Sequence, residues 1–110
     1  MSNLNLSTVK LEIFIAKSHL NVLRDALRSV GAGVTDNYDS VLSYSTVCGN
    51  WRPLPGANPY KGEIGALCEG EEYKVEVCCR AEKLVQTIAA IKAVHPYEEP
   101  VINVIPLLSV

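Results

Sequence analysis

Apolar and polar positions alternate sharply near the start of the chain. Val9, Leu11, Ile13 and Ile15 are interleaved with Lys10, Glu12 and Phe14, a period of two that predicts a strand over 9–15. The period then lengthens. Leu20, Leu23, Leu27 and Val30 fall at helical spacing and give one apolar stripe. Ser18 offers an N-cap oxygen to this helix. Gly31 and Gly33 supply the positive φ that commonly ends one, and Arg24 and Arg28 suit its negative C-terminal end. A second strand is predicted over 41–48, with Val41, Ser43, Ser45 and Val47 on one face and Leu42, Tyr44, Thr46 and Cys48 on the other. Neither face is cleanly polar, so both are expected to be covered. Residues 49–63 hold three Pro and three Gly and read as a long loop, a length often tied to function. A short extra strand is expected over 63–67 and a turn at Gly70. Tyr73, Val75, Val77 and Cys79 then alternate with Lys74, Glu76 and Cys78 as a third main strand. A helix follows over 82–94, its stripe formed by Leu84, Ile88 and Ile91 and widened by Val85 and Ala89. The last strand covers 101–107.

Strand–helix–strand–strand–helix–strand is an α+β arrangement, the ferredoxin-like split βαβ sandwich, with both helices on one sheet face and a long loop between strands 2 and 3. The other face carries no helix. With Tyr44, Cys48 or Cys78 on it, it is expected to meet another subunit. Residues 1–8 read as a disordered tail and 9–110 as one domain.

Composition narrows the classes of function. At 110 residues and 48% hydrophobic, the chain suits a single domain with a real core. Ten basic and twelve acidic residues give a net charge of −2, without the basic face that nucleic acid requires. No apolar run approaches a membrane span, and residues 1–8 lack the features of a signal peptide, so a cytoplasmic protein with reduced thiols is expected. Cys48, Cys68, Cys78 and Cys79 contain no Cys-x-x-Cys pair, and the adjacent Cys78 and Cys79 point to opposite faces of a strand. A four-cysteine zinc site does not fit that spacing.

The candidate chemistry concentrates in His95-Pro96-Tyr97-Glu98-Glu99-Pro100. Two prolines fix φ there and push His95 and Glu99 toward extended backbone. An imidazole beside carboxylates suits a divalent cation, which makes His95, Glu98 and Glu99 candidate metal ligands. The competing reading has His95 capping the second helix and Tyr97 packing at an interface. Trp51-Arg52-Pro53 also has two readings. Arg52 offers a planar fork for a carboxylate or phosphate beside the Trp51 ring, or the element is a loop lying over the sheet edge. No phosphate-binding glycine loop and no convincing Ser-His-Asp set occurs. His19 reads as an exposed, neutral residue at the start of the first helix.

Several longer motifs carry a resemblance. They are Gly31-Ala32-Gly33 with Asp36-Asn37-Tyr38, Gly49-Asn50-Trp51-Arg52-Pro53-Leu54, Gly56-Ala57-Asn58-Pro59-Tyr60-Lys61-Gly62-Glu63-Ile64-Gly65, Glu72, and Ala93-Val94 followed by the His95–Pro100 segment. Across about 9–107 the chain resembles the PII-like domain of the Nif-three-like (NGG-interacting factor three-like) family. Long members carry that domain as an insertion and are often labelled GTP cyclohydrolase type 2; short members consist of it alone, and this chain looks like one. CutA is a more distant likeness, through the fold and the His-Pro-Tyr-acidic-Pro segment. The resemblance implies a PII/CutA-like homotrimer with small-ligand or metal sites in clefts between subunits. The long members' two-metal site draws on a surrounding domain, and this chain has only two histidines, so the hydrolase label is not implied.

The reading is a regulatory homotrimer that binds a divalent metal or small ligand between subunits. Trp51, Arg52, Asn58, Glu72 and Tyr97 are its candidate ligand-binding residues. A structural or interaction trimer without a ligand site stands second and an enzyme last. Self-association is the expected partnership, with neither nucleic acid nor membrane.

Overall fold

The computed structural model describes residues 5–109. Four strands form one antiparallel sheet in the order β2-β3-β1-β4, where β1 is Asn5–Ile15, β2 Ser43–Trp51, β3 Cys68–Arg80 and β4 Ile102–Ser109. Helices α1 (Leu20–Ser29) and α2 (Leu84–Val94) lie on one face of it. This is the predicted ferredoxin-like sandwich.

The period-2 pattern places the core. Val9, Leu11, Ile13 and Ile15 of β1 stand opposite Cys79, Val77, Val75 and Tyr73 of β3, and all but Tyr73 are buried. Leu20, Leu23 and Leu27 from α1 and Ile91 from α2 close over them. The intervening residues face outward. There Lys10 pairs with Glu76 at 2.7 Å, and Glu12 takes Lys10 at 3.6 Å and Lys74 at 3.3 Å. A charged, self-neutralised face results. Gly33 must be glycine: its φ is +67°, and a Cβ would lie 2.5 Å from the Val41 carbonyl oxygen.

Several local expectations are corrected. Strand β1 begins at Asn5, so residues 5–8 pair rather than trail, with Thr8 opposite Arg80 and Leu107; residues 1–4 of the expected tail lie outside the described residues. Ser18 does not cap α1. A single 3-10 turn precedes the helix, His19 occupies the cap position without a side-chain bond, and the Ser18 hydroxyl meets His19 Nδ1 at 2.9 Å. Residues 63–67 form a turn, and Gly70 lies inside β3. The apolar stripe of α2 is rotated: Thr87 and Ile91 are buried and Leu84 and Val94 pack on the core, whereas Val85 is 85% exposed. Register also moves two residues between faces. Tyr44 stands opposite Val75 and Cys48 opposite Glu71, which puts both on the helix-bearing side, and only Cys78 faces outward. β2 is exposed along most of its length rather than covered on both faces. All four cysteines are free.

The two central strands differ in length, with consequences for the site. β1 pairs with β3 only as far as Ile15 opposite Tyr73. Beyond that point β3 has β2 alone as neighbour, from Val47 opposite Glu72 to Trp51 opposite Cys68. The molecule therefore extends a two-stranded ribbon, and its radius of gyration is 15.7 Å where a compact chain of this length would give about 13 Å.

Candidate functional site

Pro96 stops α2, and His95 leaves it in extended geometry at φ −74° and ψ 130°. Its imidazole turns inward. Nε2 lies 2.8 Å from the Phe14 carbonyl oxygen at the end of β1. A carbonyl only accepts, so Nε2 carries the proton, and Nδ1 is left to accept from the Tyr97 backbone N–H at 3.2 Å. Burial pushes the His95 pKa below its ordinary value, with the Phe14 bond opposing and the His19 charge adding to the fall. Both ring nitrogens are thus committed within the chain. The ring is half-buried, and a metal taken by His95, as the sequence suggested, would have to displace one of these two bonds.

The segment then crosses to the base of the ribbon. The Tyr97 hydroxyl donates to Glu72 Oε1 at 3.0 Å. Burial, reinforced by that carboxylate, drives the phenol's pKa far up, so Tyr97 stays a protonated donor. On the neighbouring position of β3, Glu71 takes Lys17 Nζ at 2.8 Å. Two contacts from the body of the domain therefore brace a ribbon that two strands alone hold poorly.

Residues 52–67 fold back from the end of the ribbon toward this segment. The Trp51 indole N–H donates to the Lys61 carbonyl at 3.0 Å. Its ring lies over Gly70, where a Cβ would come within 3.3 Å, and Gly62 fits against Cys68 Sγ and the indole at φ +113°. The Asn58 backbone N–H donates to Glu98 Oε1 at 2.9 Å. Tyr60 packs 5.7 Å from Tyr97 and edge-on to His19 at 6.0 Å, while His95 lies 4.8 Å from Tyr97. A row of four rings, His19–Tyr60–Tyr97–His95, joins the start of α1, the loop and the end of α2.

Of the sequence candidates, the fold joins Tyr97 to Glu72 and Glu98 to Asn58, while Trp51 bonds the Lys61 carbonyl at the ribbon end. Asn58 contributes its backbone rather than its amide, and Glu98 holds a loop N–H. Arg52 and Glu99 are exposed, and their charged groups make no hydrogen bond or ion pair among the described residues. No group of three His, Cys, Asp or Glu side chains among the described residues is placed to hold a metal ion. His95, Glu98 and Glu99 do not fit a common cation, because the first is bonded away and the second bridges to the loop. Sequence reasoning missed two partners. Tyr60 enters the sequence reading only as part of the Gly56–Gly65 stretch, with no role of its own, and His19, read as exposed, is half-buried against it.

No family model matches the chain. A GTP cyclohydrolase 1 type 2 homolog of Halalkalibacterium halodurans is 37% identical over 103 residues, 94% of this chain and 28% of the relative. The homolog of Listeria monocytogenes is 36% identical over 100 residues, 89% of this chain and 26% of the relative. The chain spans about a quarter of the length of the curated relatives it matches. A Bacillus cereus protein related to NIF3 superposes with a TM-score of 0.78 at 27% identity, covering 99% of this chain and 31% of that one. CutA from Synechococcus elongatus gives 0.69 at 17% identity over 96% of this chain and 82% of its own. GlnK of Bacillus subtilis gives 0.63 at 19% over 91% and 84%; these last two show the fold alone. The resemblance carried by the motifs is thereby confirmed: in sequence and fold the chain corresponds to a PII/CutA-like segment of the NIF3 family.

Proposed function

We propose that the chain is a small regulatory module that assembles as a homotrimer and binds a small ligand in clefts between subunits. One wall of each cleft would be the Tyr97–Glu72 corner and the other the Trp51-Arg52 end of a neighbour's ribbon. The observation that carries this reading is the ribbon itself. Among the described residues Val47–Trp51 and Cys68–Glu72 pair with each other and no third strand joins them, which supports their completion by a second copy. The exposed Arg52 guanidinium, next in sequence to Trp51, favours an anionic group on the ligand. CutA from Archaeoglobus fulgidus is described as a divalent cation tolerance protein. A cation bound here would have to rely on carboxylates such as Glu99, since the His95 ring is occupied.

Native mass spectrometry with added nucleotides, zinc, copper and manganese tests both parts at once. Three copies retaining a ligand are expected. A monomer that retains nothing would sink both the assembly and the ligand. A trimer that retains nothing would leave the second reading, an interaction module with no ligand site of its own.

A further inference from the structure

We infer that residues 52–67 act as a strap whose closure controls access to the Glu72 carboxylate, with Glu98 as its clasp. The inference concerns regulation of the cleft proposed above and rests on that reading for its purpose, though not for its physics. The strap has no helix or strand of its own, and most of its residues are exposed. Its internal bonds are two tight turns, Ala57 N–H to the Leu54 carbonyl and Ala66 N–H to the Glu63 carbonyl, and one bond, Gly65 N–H to the Pro53 carbonyl, that joins its two ends. These turns give it a shape without tying it to the domain. Two contacts outside the ribbon do so. One is the bond from Asn58 N–H to Glu98 Oε1, and the other is the packing of Tyr60 between Tyr97 and His19.

Both lead to the same place. Glu98 and Tyr97 are adjacent, and the Tyr97 hydroxyl covers Glu72 Oε1. Tyr60 supports the Tyr97 ring from the strap side, while His95 fixes the Tyr97 backbone from the core side through Nδ1. The core side is permanent, since the Phe14 bond anchors His95 to β1. Apart from the Trp51 indole bond to Lys61 at the ribbon end, the strap side is held by one exposed charge-assisted bond and the packing of Tyr60 against Tyr97 and His19, the kind of local structure that opens without global unfolding. Opening removes the support of the Tyr97 ring and frees a carboxylate acceptor at the ribbon base.

Amide hydrogen exchange and carboxylate footprinting by mass spectrometry, on the full chain, test the device. In Glu98→Ala, exchange at Asn58 and its strap neighbours is expected to speed up by about tenfold, with Leu11 and Val75 unchanged. Glu72 labelling is expected to rise with it. Glu98→Gln keeps an acceptor oxygen and is expected to retain most of the protection. Unchanged strap exchange in Glu98→Ala would overturn the proposal. So would equal acceleration at Leu11 and Val75, or a faster strap with no gain in Glu72 labelling. These readouts need neither trimer nor ligand, so their failure is distinguishable from failure of the functional reading.

Discussion

His95 shows how a side chain of apparent chemical promise is used for position. Its neutral ring reads two backbones at once, accepting from Tyr97 N–H and donating to the Phe14 carbonyl. Protonation would place a second N–H against the Tyr97 N–H. The folded-state pKa is accordingly depressed by burial, and the sign of the pH effect follows. The stability owed to the neutral ring is fully present above the unfolded value near 6.5 and is lost as pH falls through the folded value. Urea midpoints should therefore drop as pH falls below about 6.5. His95→Gln, which cannot protonate, should show a flatter profile over that interval. Identical slopes in the two proteins would assign the pH dependence elsewhere. The sequence offered His95 at the cap of the second helix as one of two readings, and the structure puts it there, but its ring partners were not legible. The six-residue motif identified a family, but the decisive partner, the Phe14 carbonyl, lies 81 positions away and is backbone, which no side-chain pattern announces.

Strands were easier to read than helices, for a physical reason. In β1 and β3 every second residue is apolar, and the alternation fixes both the element and its buried face. In α2 the pattern Leu84, Val85, Ile88, Ala89, Ile91 suggested a face that the fold rotates toward Thr87. That threonine is fully buried because its hydroxyl donates to the Lys83 carbonyl at 2.7 Å, so its polar atom is satisfied and its methyl packs as an apolar group. A hydropathy pattern scores such a residue as polar and turns the stripe away from it. The corrected face makes a contrast testable by denaturation. Ile91→Ala removes a fully buried side chain and should cost about 2–5 kcal/mol. Val85→Lys, at a position 85% exposed, should change stability by no more than about 0.5 kcal/mol. If the two costs were similar, the face of α2 against the core would be misassigned. The ribbon end was missed in the same way. Gly70 looks like a turn in isolation, yet it sits in β3 because the Trp51 ring occupies the space a side chain would need.

At the scale of the whole molecule, an edge strand of nine residues, exposed along most of its length, and a ribbon lacking a third strand among the described residues form a surface prone to pairing with another chain. The trimer proposed here would turn that liability into an interface, and the outward charges do not oppose it. Lys10, Glu12, Lys74 and Glu76 already neutralise one another, so a second copy would meet little net field. Val47 marks where the ribbon leaves the sheet: it lies opposite Glu72 and is only partly covered. A lysine there would keep the strand's own pairing with β3 while placing charge where a neighbour would pack. Val47→Lys should therefore lower the mass measured by sedimentation equilibrium and leave the far-ultraviolet dichroism unchanged. Wild-type melting temperature should rise with protein concentration, as for any assembly in which association stabilises the fold, and the variant should lose that dependence. Equal masses and concentration-independent melting in both would mean that the ribbon stands free in solution, and the inter-subunit cleft would lose its second wall.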